Sequence, residues 1–181
     1  MEQEKIILKS AIKQRKTRKL PKAVRKEEWD KLLDVIKKKD KRTLVAFLLA
    51  YGSGLRISEV TRCRPEHFQS DGMIFIPESK YGVERKVPIP KGWRKEFFDF
   101  LPINRSIRSL QRKFVIYKNK AGLNSLYTFH SLRHGFSVRC IEAGMPLNQV
   151  QLALGHANIS TTSIYVKASP QDLLKSYQEK F

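Results

Sequence analysis

The chain has 181 residues, 41% of them hydrophobic, enough for one domain with a real core and too apolar for disorder throughout. Its 36 Lys and Arg against 17 Asp and Glu give a formal net charge of +19, a self-repulsion whose expected reason is a polyanionic partner, nucleic acid first. Cys63 and Cys140 sit in no CxxC or Cys/His ligand spacing, which argues against a disulfide framework or a zinc site and fits a reducing cytoplasm. The start, MEQEKIILKS, has no apolar signal-peptide core, and the longest apolar run, residues 44–51, is too short to span a bilayer; a soluble cytoplasmic protein without a membrane partner is expected.

Residues 1–25 are basic, with Arg15, Lys16, Arg18 and Lys19 at their centre; they read either as an arm that orders on a phosphate backbone or as a solvated tail. Residues 26–181 read as the domain proper. Trp29, Leu32, Leu33 and Ile36 recur at helical spacing over 26–38. A second helix over 42–51 is apolar nearly all round, so it belongs at the centre of the core, and Gly52 and Gly54 end it. A short helix over 56–63 follows, then a polar loop to Gly72.

The strand pattern MIFIP (73–77) and its partner RKVPI (85–89), with Tyr81-Gly82 between them, predict a β-hairpin whose second strand is an edge because of Pro88 and Pro90. Amphipathic helices are predicted over 92–101 and 107–121. Further helices follow over 131–143, bounded by Gly144, and over 146–154, ended by Gly155. A short helix holds Tyr165, and Pro170 opens a last helix, 170–180, with Leu173, Leu174 and Tyr177 on one side. The fold class is mainly α with a small antiparallel β-sheet (α+β).

Several positions carry residue types suited to phosphodiester chemistry, which needs cations on the non-bridging oxygens, an in-line nucleophile and proton donors. In GLRISE, Arg56 stands at a helix start after two glycines, and Glu59, three residues on, shares its face and can steady it. In HSLRH, His130 and Arg133 share a face near a helix start; the first can move a proton near neutral pH and the second can grip two oxygens. His156 follows a helix-ending glycine, and Tyr165 lies nine residues beyond, between Ile164 and Val166. Lys80 falls at the hairpin tip, and Arg85 and Lys86 of the second strand are candidate DNA contacts beside the arm. Each position alone has a plainer reading: a surface arginine, a capping histidine, a charged turn residue, a core tyrosine.

Taken in order, GLRISE, a lysine on a hairpin, HSLRH, LGH and IY near the end, the sequence resembles the catalytic domain of tyrosine recombinases and phage integrases. The likeness runs over Thr128 to Tyr165 and over SKYGVERKVPI, and spans roughly Pro21 to Ala168. It implies a nucleophilic Tyr165 forming a 3′-phosphotyrosine, with Arg56 and Arg133 on the scissile phosphate. It also implies Lys80 as the donor to the leaving oxygen, His130 assisting proton transfer, His156 hydrogen-bonded to the phosphate, and Glu59 in support. It implies no metal, no ATP and no other cofactor, in keeping with a sequence that shows no cluster of carboxylates for Mg²⁺.

Where the family has glycine after the hairpin lysine, this chain has Tyr81, then Gly82. The family's N-terminal core-binding domain has no counterpart in the 25 residues ahead of the catalytic part, so an excised or truncated domain is expected. The resemblance further implies double-stranded DNA as partner and a homotetramer on DNA through the C-terminal helix, from a protein monomeric in solution; that helix could equally pack on its own domain. Type IB topoisomerase-like relaxation and a non-catalytic DNA-binding module are the competing readings.

Overall fold

The computed structural model describes residues 22–37, 39–77, 84–155 and 170–181. In chain order the elements are α1 (Lys26–Ile36), α2 (Lys41–Ser53), α3 (Ile57–Arg62), β1 (Met73–Ile76), β2 (Arg85–Pro88), α4 (Ile107–Lys120), α5 (His130–Glu142), α6 (Leu147–Leu154) and α7 (Pro170–Lys180), with short 3₁₀ turns at Pro65–His67 and Lys95–Phe100. The two strands pair antiparallel, Met73 opposite Pro88 and Ile76 opposite Arg85.

Helix α2 is central because its sequence leaves it no polar face: from Thr43 to Ser53 all but Leu48 are buried. Asp40 caps it, accepting a hydrogen bond from the Thr43 N–H at 3.1 Å. Around it Phe47 meets Phe114 of α4 and Phe129 edge-on, each with ring centroids 5.6 Å apart, and Tyr51 stacks on Trp29 of α1 at 4.2 Å. Helix α5 packs on α2, and the segment before α1 lies over α5, with the Val24 N–H donating to the Ser131 carbonyl at 3.1 Å. That approach requires Gly135: a Cβ there would stand 2.4 Å from the Val24 carbonyl oxygen.

One expectation about the elements changes. Only Lys95–Phe100 is helical where 92–101 was expected, and it is 3₁₀. Gly92 takes φ 83 and the Trp93 N–H bonds the Pro90 carbonyl, so a turn occupies the first residues and what remains is too short to propagate an α-helix. Helix α7 buries Leu173 and Tyr177 against its own domain, Tyr177 Oη donating to the Gly52 carbonyl at 2.9 Å and stacking on Phe136. The expected hairpin turn at Tyr81-Gly82 and the short helix around Tyr165 lie outside the described residues.

Candidate active site

Two helix ends and one helix start build the site. Helix α2 terminates at Gly54 in the left-handed region (φ 71), where a Cβ would lie 2.6 Å from the Phe136 ring. Two residues later Arg56 precedes α3, and Glu59, at the third position of that helix, accepts the Arg56 N–H at 2.6 Å. This backward cap satisfies a donor the helix cannot pair itself, and it fixes the carboxylate beside the Arg56 side chain. Helix α6 ends at Gly155 (φ 58), turning its last carbonyls toward the same place.

Three guanidiniums converge there on one carboxylate. Arg56 Nη1 donates to Glu59 Oε1 at 3.0 Å and its Nη2 to the Gly155 carbonyl at 2.9 Å. Arg85 grips Glu59 with both Nη atoms, each at 2.9 Å, while its Nε donates to the Ala153 carbonyl at 2.7 Å. Arg133 donates to the Gly54 carbonyl at 2.6 Å and to the Leu154 carbonyl, and its Nη1 lies 3.8 Å from Glu59 Oε2. The carbonyls of the last turn of α6 thus receive all three arginines, where the helix dipole is negative.

Three cations around one carboxylate leave a surplus of two positive charges in a largely buried place. Burial alone would raise the Glu59 pKa, but the hydrogen bonds and charge of Arg85, with those of Arg56, outweigh it and hold the carboxyl below its ordinary value. Burial and the neighbouring charge of Arg56 push Arg133 down to about 9, so it still carries its proton at pH 7. An anion entering the cluster would neutralise part of the surplus, and Arg56, the most exposed of the three with 26% of its side chain accessible, marks the open side.

His130 opens α5, exposed, in a cleft of about 350 Å³ that Arg133, Gln111, Lys118 and Thr128 also line. Lys118 is buried, its ammonium donating to the carbonyls of Ser125 and, at 2.7 Å, Tyr127, which ties down the loop leading into α5. The structure thus gathers Arg56, Glu59 and Arg133, with His130 lining a cleft beside Arg133. Lys80, His156, Tyr165 and the arm residues Arg15, Lys16, Arg18 and Lys19 lie outside the described residues. Lys86 is half-buried and pairs with Asp71 at 3.0 Å. Among the described residues no three His, Cys, Asp or Glu side chains group as metal ligands.

Arg85 corrects an expectation. Read as a DNA-facing cation, it is only 5% exposed, and all three of its nitrogens that carry hydrogens are bonded internally. The signal lay in the strand period. Arg85 is in phase with the fully buried Val87, and the two stand opposite buried Ile76 and Ile74.

Residues 22–172 match the family model described as the phage integrase family. The tyrosine recombinase XerA of Thermococcus kodakarensis is 35% identical over 90% of this chain and 64% of its own length. The tyrosine recombinase XerC of Salmonella typhi is 32% identical over 88% of this chain and 60% of its own. The chain therefore spans about three-fifths of the length of these relatives. Among solved structures, the fold is shared with an integrase from mycobacterium phage Brujita (TM-score 0.70, 21% identity, 92% of this chain and 60% of that one). It is shared too with a XerA recombinase (TM-score 0.63, 19% identity, 92% and 65%) and the lambda integrase catalytic core (TM-score 0.60, 19% identity, 75% and 91%).

Proposed function

The chain belongs to the phage integrase family, and from that premise we propose that it is the catalytic domain of a tyrosine-type site-specific recombinase that cuts and rejoins double-stranded DNA. The observation that carries this reading is the overcharged cluster. Arg56 and Arg133 are held on a shared carboxylate with surplus positive charge, as a site must be that receives a phosphodiester and the further charge of its transition state.

In the proposed reaction Tyr165 Oη attacks the phosphorus, the bond from phosphorus to the 5′-oxygen breaks, and a 3′-phosphotyrosine forms. The phenol's proton leaves with help from His130, and Lys80 protonates the departing 5′-oxygen. Arg56, Arg133 and His156 stabilise the non-bridging oxygens, and Glu59 keeps the arginines in place. Rejoining reverses these steps with the 5′-hydroxyl of another strand, so the bond energy stays in the phosphotyrosine and neither metal nor ATP enters the scheme.

The proposal extends to a homotetramer on DNA in a prokaryotic cytoplasm, formed from protein monomeric in solution. No helix among the described residues is long and apolar enough to cross a membrane. Leu173 and Tyr177 of α7 are seated in their own domain, so an assembly through this helix that leaves them there would use its more exposed residues, such as Lys175 and Gln178.

The test is trapping on a nicked duplex bearing the flanking sequence of the encoding element. The wild-type protein should give an adduct that survives SDS, whereas Tyr165→Phe should bind the duplex equally well and give none. Adduct from Tyr165→Phe would remove that residue from the chemistry. Duplex binding by the wild type without any adduct would favour a DNA-binding module.

A further inference from the structure

We propose that Arg85 is a positioning residue for the strand-cleavage chemistry, setting the guanidiniums of Arg56 and Arg133 through Glu59 and through the end of α6. The inference deepens the recombinase reading and, for its activity readout, rests on it. Glu59 has two oxygens and both are engaged by Arg85 in a bidentate pair, with Arg56 sharing Oε1 and Arg133 near Oε2. A planar fork bonded at both oxygens fixes the carboxylate's rotation, which a single bond cannot do. The third bond, Arg85 Nε to the Ala153 carbonyl, fastens the same fork to the helix end whose next two carbonyls, Leu154 and Gly155, receive Arg133 and Arg56. Arg85 also packs against Gly155, where an added Cβ would stand 2.9 Å from its Cδ.

Connectivity gives this brace its reach. Arg85 is the first residue of β2, opposite the last residue of β1, so it closes the strand pair at the end from which the connection containing Lys80 in sequence leaves. His156 is the residue after Gly155. One buried side chain therefore joins α3, β2 and α6: Arg56 precedes the first, the segment leading to Lys80 in sequence leaves the second, His156 follows the third in sequence, and Arg133 reaches the end of α6 from α5.

The conservative variant Arg85→Lys keeps the charge and loses the fork. Two readouts decide the matter. The first is independent of activity: guanidinium ¹⁵N spectra should show distinct, slowly exchanging Nη signals for Arg56 and Arg133 in the wild type, merged by free rotation in Arg85→Lys. The second is single-turnover adduct formation at saturating protein, which should fall about 10- to 100-fold, the range for outer partners that orient reacting groups. Duplex affinity and its salt dependence should stay unchanged.

The apolar pair Arg85→Met with Glu59→Leu separates positioning from folding. It should recover part of the melting temperature that Arg85→Met or Glu59→Leu alone loses, since a buried ion pair is replaceable by well-packed apolar groups while Arg56 and Arg133 still lack their counter-charge, and should still cleave slowly. Wild-type cleavage by the refolded pair would overturn the proposal, as would unchanged Nη signals in Arg85→Lys. A reduction of the salt slope by about one in Arg85→Met, which removes the charge, would instead make Arg85 a phosphate contact. If the wild type forms no adduct, the recombinase reading fails, and the Nη signals alone decide whether Arg85 positions the cluster.

Discussion

Glu59 is the residue on which the cluster balances. Its side chain is 6% accessible and touches three cations, so replacing it with glutamine leaves Arg85 and Arg133 buried without a counter-charge. Breaking a buried pair in this way costs about 3–5 kcal/mol, far more than an exposed pair. We expect Glu59→Gln to lower unfolding free energy at pH 7 by that amount in urea titrations; a loss below ~1 kcal/mol would mean that the arginines find other partners.

The same residue sets a pH dependence. The folded-state pKa lies below the ordinary value of 4.5, so Glu59 stabilises the fold fully above that value. Its contribution disappears as pH falls through the depressed folded-state pKa. Between neutral pH and pH 3 the wild type should therefore lose more stability than Glu59→Gln; parallel curves would contradict the assignment.

At the scale of elements, helix ends do most of the positioning. Gly54 and Gly155 stop α2 and α6 in the left-handed region, and the carbonyls released there become acceptors for the arginines. The start of α2 is a second junction. Asp40 caps the helix and also takes Lys113 of α4 at 3.0 Å and Arg105 at 3.2 Å. Burial would raise its pKa, but Lys113 and the Thr43 contacts outweigh that and hold it low.

Its two roles separate by substitution. Asp40→Asn keeps an oxygen for the Thr43 N–H and loses only pairs with half-buried partners, a cost of under about 1 kcal/mol. Asp40→Ala loses the cap as well and should cost about 1 kcal/mol more. Chemical denaturation of both variants checks this, and equal losses would show that the cap contributes nothing.

For the molecule as a whole, the charge of +19 is the dominant physical fact. It predicts duplex binding driven by counterion release, with log K falling linearly against log salt concentration. If six to ten phosphates are neutralised, affinity should drop about 10³- to 10⁵-fold between 50 and 200 mM salt. Fluorescence anisotropy with a labelled duplex measures the slope, and a flat response would break the link between this charge and DNA. Buried Cys63 and Cys140, their thiols pushed up to about 12 by burial, need no protection during such titrations.

The elements were legible because their signals are local. Helical spacing, apolar runs and end signals such as Gly54, Gly144 and Gly155 marked the helices, and β-rich runs the two strands, while over 92–101 an amphipathic pattern pointed to an α-helix where only a 3₁₀ turn forms. The order GLRISE, HSLRH, LGH, IY identified the chemistry to look for, and Arg56, Glu59 and Arg133 do meet in space.

What the chain's order alone left open was partnership between distant residues. Arg85 reads as an outer, DNA-facing cation until Glu59, 26 positions earlier, is found facing it. The Arg56 bond to Gly155 spans 99 positions, and the Tyr177 bond that seats α7 on its own domain spans 125. Local periodicity tells which face of an element is buried; only packing the elements together decides which buried groups meet, and a charge inside a protein takes its role from what it meets.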